Sequence, residues 1–152
     1  MITFTKQAGY LAKIIVNHDE RVGNWIQDHG GGFYRIGGKC IGLEKDGKLV
    51  AGVMYDYFNG SSVYTHIASV SKSMNREFLW FIFHYPFNQL KAKVLIGLVA
   101  DDNQESIRLC ERFGFTLNTT IKDAHPSGCL RIYTLRRENC KWLKIRGLSE
   151  QA

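Results

Sequence analysis

The spacing of apolar residues changes period several times along this chain, and each change marks an expected element. "ITFT" near the start predicts a first strand. Within Gln7–Asn17, Leu11, Ile14 and Ile15 fall at helical spacing. A second short helix is expected over Glu20–Asp28, stopped by "HGGG", because glycine takes the positive φ values that end helices. "CIGLEKDGKLVAGVMYDYF" places two β-rich arms around Asp46-Gly47, a strong hairpin signal. Asn59-Gly60 then turns the chain into "SSVYTHIASV". Three strands in an antiparallel meander are therefore expected from Cys40 to Val70.

Beyond Val70 the pattern changes. "SKSMNREFLWFIFHYPFNQL" opens with small polar residues and continues as a helix apolar on nearly every side, which is normal for a buried helix. Pro86 should end or kink it near Tyr85. "KVLIGLVA" is a continuous apolar run, typical of a strand covered on both faces. In "DDNQESIRLCERFGF", Asp102 and Glu105 match the D-x-x-E form of a capping box. Ile107, Cys110 and Phe113 recur at helical spacing, and Gly114 suits the left-handed position past the helix end. Phe115 opens a final pair of strands, "TLNTTIKDA" and "CLRIYTLRREN", around the turn "HPSG". The expected order is β-α-α-β-β-β-α-β-α-β-β.

Composition narrows the class. At 152 residues, 45% hydrophobic and 22% charged, the chain reads as one ordinary globular domain spanning 1–152. Its longest apolar stretch, "FLWFIFHYPF", is too short to cross a bilayer, so no membrane association is expected. With no secretion-type start, a cytoplasmic location is expected. Cys40, Cys110, Cys129 and Cys140 lie far apart, without C-x-x-C or zinc-ligand spacing, so reduced thiols and no metal are expected. A net charge of +6 favours anionic partners without choosing among nucleotide phosphates, nucleic acid and acidic protein. The basic cluster Leu135–Arg146 reads as a solvated final strand and tail.

The element order together with "VADDNQESIRLCERFGF" resembles the GNAT superfamily of acyl-CoA N-acyltransferases. Asn103, Ser106, Cys110 and Gly114-Phe115 carry that likeness. Tyr85, Phe87, Gln89 and Leu90, with Asn103, Ser106 and Ile107, are most similar to the branch that acetylates ribosomal-protein N-termini. The chain also resembles small acetyltransferase-like proteins of phages and prophages. The resemblance implies an α/β (α+β) fold: a central mixed, mostly antiparallel sheet, splayed between its fourth and fifth strands, with flanking helices. It implies acetyl-CoA as co-substrate and an amine acceptor, in a monomer or homodimer.

Carried over residue by residue, the resemblance places pantetheine against the backbone of Ile67, Ala68, Ser69 and Val70, one of whose N–H groups would polarise the thioester carbonyl. The following segment, Ser71, Lys72, Ser73, Met74, Asn75 and Arg76, would face the pyrophosphate at a helix N-terminus. It departs from the family's glycine-rich pattern, because no glycine lies in it and only small polar residues take that place. The same residues also read as a simple helix cap. Asn103 and Ser106 are candidate cofactor contacts, and equally first-turn capping residues.

For the chemistry, alternation puts Tyr64, His66, Ala68 and Val70 on one strand face. His66 is the first candidate base, since imidazole titrates near neutrality. A histidine hydrogen-bonded within the sheet is the competing reading. Asp56 is a second candidate base or an exposed strand residue, and Tyr64 either lines the acceptor pocket or packs. Cys110 stands where many members of the family carry an acidic tyrosine; it reads as a proton donor or as a small apolar side chain. Gly30–Gly32 read as a mobile loop near the acceptor opening. The leading expectation is an acetyl-CoA-dependent N-acetyltransferase acting on a protein N-terminus, a lysine or a small amine. The alternatives are a catalytically silent binding module of the same fold, as a phage might encode, and an enzyme acting on nucleic acid.

Overall fold

A computed structural model of the protein describes residues 3–7, 10–70 and 72–145, with side chains from Ala12 onward. Ile2 of the expected first strand and Ser71 of the expected phosphate loop lie outside the described residues, as does Arg146 at the end of the basic cluster. The elements are β1 (Thr3–Gln7), β2 (Tyr10–Val16), α1 (Asp19–Asp28), β3 (Lys39–Lys45), β4 (Lys48–Asp56), β5 (Ser62–Ser69), α2 (Arg76–His84), β6 (Val94–Ala100), α3 (Gln104–Phe113), β7 (Thr116–His125) and β8 (Gly128–Arg136). The strands form one sheet in the order β1-β2-β3-β4-β5-β6-β8-β7. All neighbours are antiparallel except β5 and β6. This is the mixed, mostly antiparallel sheet that the resemblance implies.

One expected element is wrong. Gln7–Asn17 is not a helix; Tyr10–Val16 is a strand paired to β1 and β3. Ala12 and Ile14 bury on one side of the sheet and Ile15 on the other. A strand covered on both faces shows no period of two, so chance spacing of Leu11, Ile14 and Ile15 imitates a helix. The β-branched run Ile14-Ile15-Val16 is the signal that favoured a strand. Because of this extra strand, the family's fourth and fifth strands are β5 and β6 here.

Helices cover both faces. On one side Phe78, Leu79, Ile82 and Phe83 of α2 pack on Val53, Val63 and Leu95, with Phe113 of α3 in the same core. The Tyr55 hydroxyl donates to the Ile82 carbonyl and ties β4 to α2. On the other side Val22 and Ile26 of α1 pack on Ile15, Cys40, Met54 and Ala68. α2 ends at His84, as Pro86 requires. The chain then widens into a π-type turn over Tyr85–Gln89, where the proline's missing N–H breaks no regular helical bond.

The sheet opens in its middle. β5 and β6 pair only through Ser62↔Val94, Val63↔Leu95 and Tyr64↔Ile96. From there Gly97–Ala100 continue on β8, while Thr65–Ser69 continue on β4 alone. β5 therefore runs on with a free edge, and a wedge separates it from β6.

Candidate active site

The free edge has a defined polarity. The Val70 N–H donates to the Val50 carbonyl at 2.8 Å, so Val70 turns its backbone toward β4. In an antiparallel pair the hydrogen-bonding groups alternate sides along the strand. Ala68 therefore also points to β4, whereas the N–H and C=O groups of Ile67 and Ser69 face the wedge. Of the four residues expected to hold pantetheine, only these two offer backbone hydrogen bonds to it.

A cleft of about 480 Å³ fills the wedge, and His66, Ile67, Asn103, Ser106 and Cys110 line it. His66 stands in its wall. The two carboxylate oxygens of Asp56 are divided between His66 Nε2, 3.1 Å from Oδ1, and the Arg35 guanidinium, 3.6 Å from Oδ2. Asp56 is only 7% exposed, and a buried carboxylate needs such partners. An ionised carboxylate only accepts, so Nε2 carries the proton and Nδ1 presents its lone pair. Nδ1 lies beneath Gly32: a Cβ at that position would stand 2.9 Å from it, and Gly32 has φ +116°. Gly31 is equally constrained, since a Cβ there would meet the Ala68 side chain at 3.0 Å and the Ile67 carbonyl at 3.2 Å. The glycine loop thus lies directly on β5 and roofs the cleft above His66.

The expected phosphate loop is largely spent on its own structure. The Ser73 hydroxyl is hydrogen-bonded to the Val70 and Val50 carbonyls at 2.8 and 3.1 Å. Asn75 caps α2, its Oδ1 accepting the Phe78 N–H at 2.8 Å, and Met74 packs on the core. Arg76 is the exposed first residue of α2 and is outside the cleft lining. Lys72 does reach a site. With Arg108 and Arg112 of α3, and beside Ala68 and Ser69, it lines a second hollow of about 330 Å³ that shares Gly30, Ile67, Asn103 and Ser106 with the first. Glu105 is the one carboxylate in that lining.

Asn103, not Asp102, caps α3: its Oδ1 accepts the Ser106 N–H at 3.2 Å. Its Nδ2 reaches the Gly30 carbonyl at 3.5 Å and joins α3 to the glycine loop. Asp102 instead accepts the Ser127 hydroxyl at 3.0 Å. Burial pushes the Cys110 thiol up to about 12, with Glu111 adding to the effect. Such a thiol holds its proton too tightly to protonate a sulfur leaving group well. Tyr64 lies at the other mouth of the cleft, its ring 5.6 Å from that of Tyr57.

Sequence reasoning missed Arg35, Arg108, Arg112 and His125. The two α3 arginines were legible, because they follow Asn103 at offsets that share a helix flank. Arg35 sits in a loop and His125 at the very end of β7, where only the fold decides what they face. Among the described residues no cluster of three or more His, Cys, Asp or Glu side chains suits a metal, and no helix is long and apolar enough to cross a membrane.

No protein-family model matches the chain, and no curated protein matches it in sequence. Solved structures match it in shape. A spermidine/spermine N-acetyltransferase, SpeG, from Vibrio cholerae, solved with manganese ions, aligns at TM-score 0.62 and 12% identity, over 88% of this chain and 95% of that one. An acetyltransferase of the GNAT family from Bacillus anthracis gives TM-score 0.63 and 17% identity, over 90% and 99%. The putative acetyltransferase yncA from Salmonella typhimurium, solved with acetyl-CoA, gives 0.60 and 14%, over 100% and 98%. The sheet and its covering helices share their fold with these solved acetyltransferases. More particularly, this is the GNAT superfamily fold, as the sequence resemblance implies.

Proposed function

We propose that the protein is an acetyl-CoA-dependent N-acetyltransferase that delivers an acetyl group to a primary amine. The observation that carries this reading is the free edge of β5 beyond Tyr64, standing open beside a histidine–carboxylate pair. Two neighbours of the same fold, yncA and the Campylobacter jejuni N-acetyltransferase PseH, were solved with acetyl-CoA.

The residues present fit that co-substrate. An extended pantetheine arm adds to a strand edge through backbone hydrogen bonds, and Ile67 and Ser69 supply them. An N–H in the wedge also meets the charge that develops on the thioester oxygen when the amine attacks. His66 Nδ1 accepts the proton that the acceptor ammonium must lose for its nitrogen to attack, while Asp56 holds the ring and balances the imidazolium that forms. Lys72, Arg108 and Arg112 surround the outer hollow with positive charge, where phosphates of a nucleotide carrier would lie.

One observation favours a second reading, a catalytically silent module. The phosphate loop lacks glycine, and its Ser73 hydroxyl and Asn75 carbonyl are consumed internally. Calorimetric titration with acetyl-CoA separates the two. The enzyme gives saturable heat, and thiol release from acetyl-CoA that depends on an added amine. Absence of heat at millimolar acetyl-CoA selects the silent module.

A further inference from the structure

We infer that the acceptor is a primary amine attached to a bulky apolar or aromatic body, and not a polyamine; this rests on the acetyl-transfer reading. The cleft opens near Tyr64 into a hollow of about 860 Å³, and His66, Arg35 and Leu98 line both spaces. The hollow is walled by Tyr57, Phe58, Tyr64, Ile96 and Leu98. Phe33, in the cleft lining, is 77% exposed. Much of the protein's exposed apolar surface thus gathers at the mouth beside His66, and a patch of that kind marks a binding site.

Charge selects further. Among the described residues no carboxylate lines this hollow. Asp56 is buried behind it and already shared by His66 and Arg35. The charged group on display is Arg35, whose guanidinium also stands 5.1 Å from the Tyr57 ring centre. A polyamine would bring additional ammonium groups to a guanidinium and find no acid to receive them. An apolar body instead covers Phe58 and Leu98 and gains from their removal from water. The mouth is therefore unlike what a spermidine-type acceptor needs, although a neighbour of the same fold is a spermidine/spermine N-acetyltransferase.

The test compares phenethylamine, a short peptide amide beginning with phenylalanine, and spermidine, by thiol release from acetyl-CoA. Phenethylamine or the peptide is expected to exceed spermidine in kcat/KM by about tenfold or more. Whichever of the two leads separates a free amine from a chain terminus as source. Tyr57→Ala and Phe58→Ala should reduce that advantage by raising KM for the apolar amine. Spermidine as the better acceptor overturns the inference while leaving acetyl transfer standing. Failure of acetyl-CoA to bind overturns both.

An independent set of contacts points to His125 as the group that returns a proton to the departing thiolate. His125 ends β7 and lines the same cleft as His66 and Cys110. Its Nδ1 lies 2.8 Å from the Ser127 hydroxyl, which donates to Asp102 Oδ1 at 3.0 Å. The Ser127 N–H also points at Nδ1, at 3.1 Å. A neutral ring accepts from that N–H; a protonated ring donates Nδ1–H to the hydroxyl, which passes the interaction to Asp102. On protonation the ring gives up the contact with the Ser127 N–H and keeps the one to the hydroxyl. The turn that carries Asp102 is fixed to β8 by the Asp101 N–H to the Cys129 carbonyl and by the Asp101–Arg131 ion pair. In the reaction the amine nitrogen bonds to the acetyl carbon and the carbon–sulfur bond breaks. The ammonium proton passes to His66, and the sulfur takes one from the His125 imidazolium.

His125→Gln is expected to lower kcat by about a hundredfold, with the KM for acetyl-CoA within about twofold of the parent. The alkaline limb of its kcat–pH profile should vanish, and Ser127→Ala should move that limb to lower pH. Melting temperature and acetyl-CoA affinity show whether each variant folds. A folded His125→Gln protein with an unchanged pH profile overturns the assignment.

Discussion

Asp56 and His66 meet diagonally across the β4–β5 pair, His66 Nε2 lying 3.1 Å from Asp56 Oδ1. The contact fixes which imidazole nitrogen carries the proton, and so which one is left to act. An aspartate oriented in this way has no need to leave the sheet or to touch a substrate. Its consequence is read at His66.

Replacing His66 by alanine should reduce amine-dependent thiol release by about 10²-fold or more while acetyl-CoA affinity changes little. Asp56→Asn should cost a smaller factor, since an amide in that place can donate to the ring and favour the wrong tautomer. Steady-state kinetics together with calorimetry check both. Equal turnover in His66→Ala and the parent would remove His66 from the mechanism.

Gly32→Ala puts a methyl group 2.9 Å from His66 Nδ1, at a backbone φ of +116°. The expected result is a fall in kcat of at least tenfold, because the nitrogen is covered or displaced, and a loss of stability of about 1–3 kcal/mol from the strained conformation. Gly30→Ala is the control, since φ is also positive there but a Cβ would meet nothing within 4 Å. It should share the strain and spare kcat.

Removing positive charge from the outer hollow should weaken acetyl-CoA binding in proportion to ionic screening. Lys72→Ala and Arg112→Ala are each expected to raise Kd by a few fold at low salt, with the difference shrinking as salt rises. Titration at two salt concentrations measures this. A salt-independent loss would point to packing instead of phosphate contacts.

Burial holds the Cys40 and Cys110 thiols up at about 12 and the Cys140 thiol at about 11, from an ordinary 9.0. The folded state thus favours the neutral thiol. That contribution to stability is complete below about pH 9 and disappears as pH rises through 9 toward 12. Melting temperature should fall over that window, and more gently in Cys110→Ala than in the parent. Parallel slopes would contradict the assignment.

Much of the architecture was legible in the chain. Asp46-Gly47 and Asn59-Gly60 mark their turns, Pro86 ends its helix, and Gly114 takes the left-handed position after α3, at φ 93°. β2 was misread because burial on both faces erases alternation. The candidate site was legible only in part: alternation along β5 sets the face of His66, whereas Ile67 entered through the family resemblance. It was hidden where distant segments meet. Nothing local announces that Gly32 will cover His66, that Arg35 will share Asp56, or that Ser127 will connect His125 to Asp102. Ser73 and Asn75 looked like phosphate donors because their residue types suit that role, yet their partners are internal carbonyl and amide groups that only the folded turn supplies.

Amide hydrogen exchange followed by NMR, with and without acetyl-CoA, tests the open edge of β5 most directly. Pairing of the pantetheine arm with that edge predicts slower exchange at the Ile67 and Ser69 amides on adding ligand, with Ala68 and Val70, already turned to β4, little changed. Unaltered exchange at Ile67 and Ser69 under saturating acetyl-CoA would contradict the account.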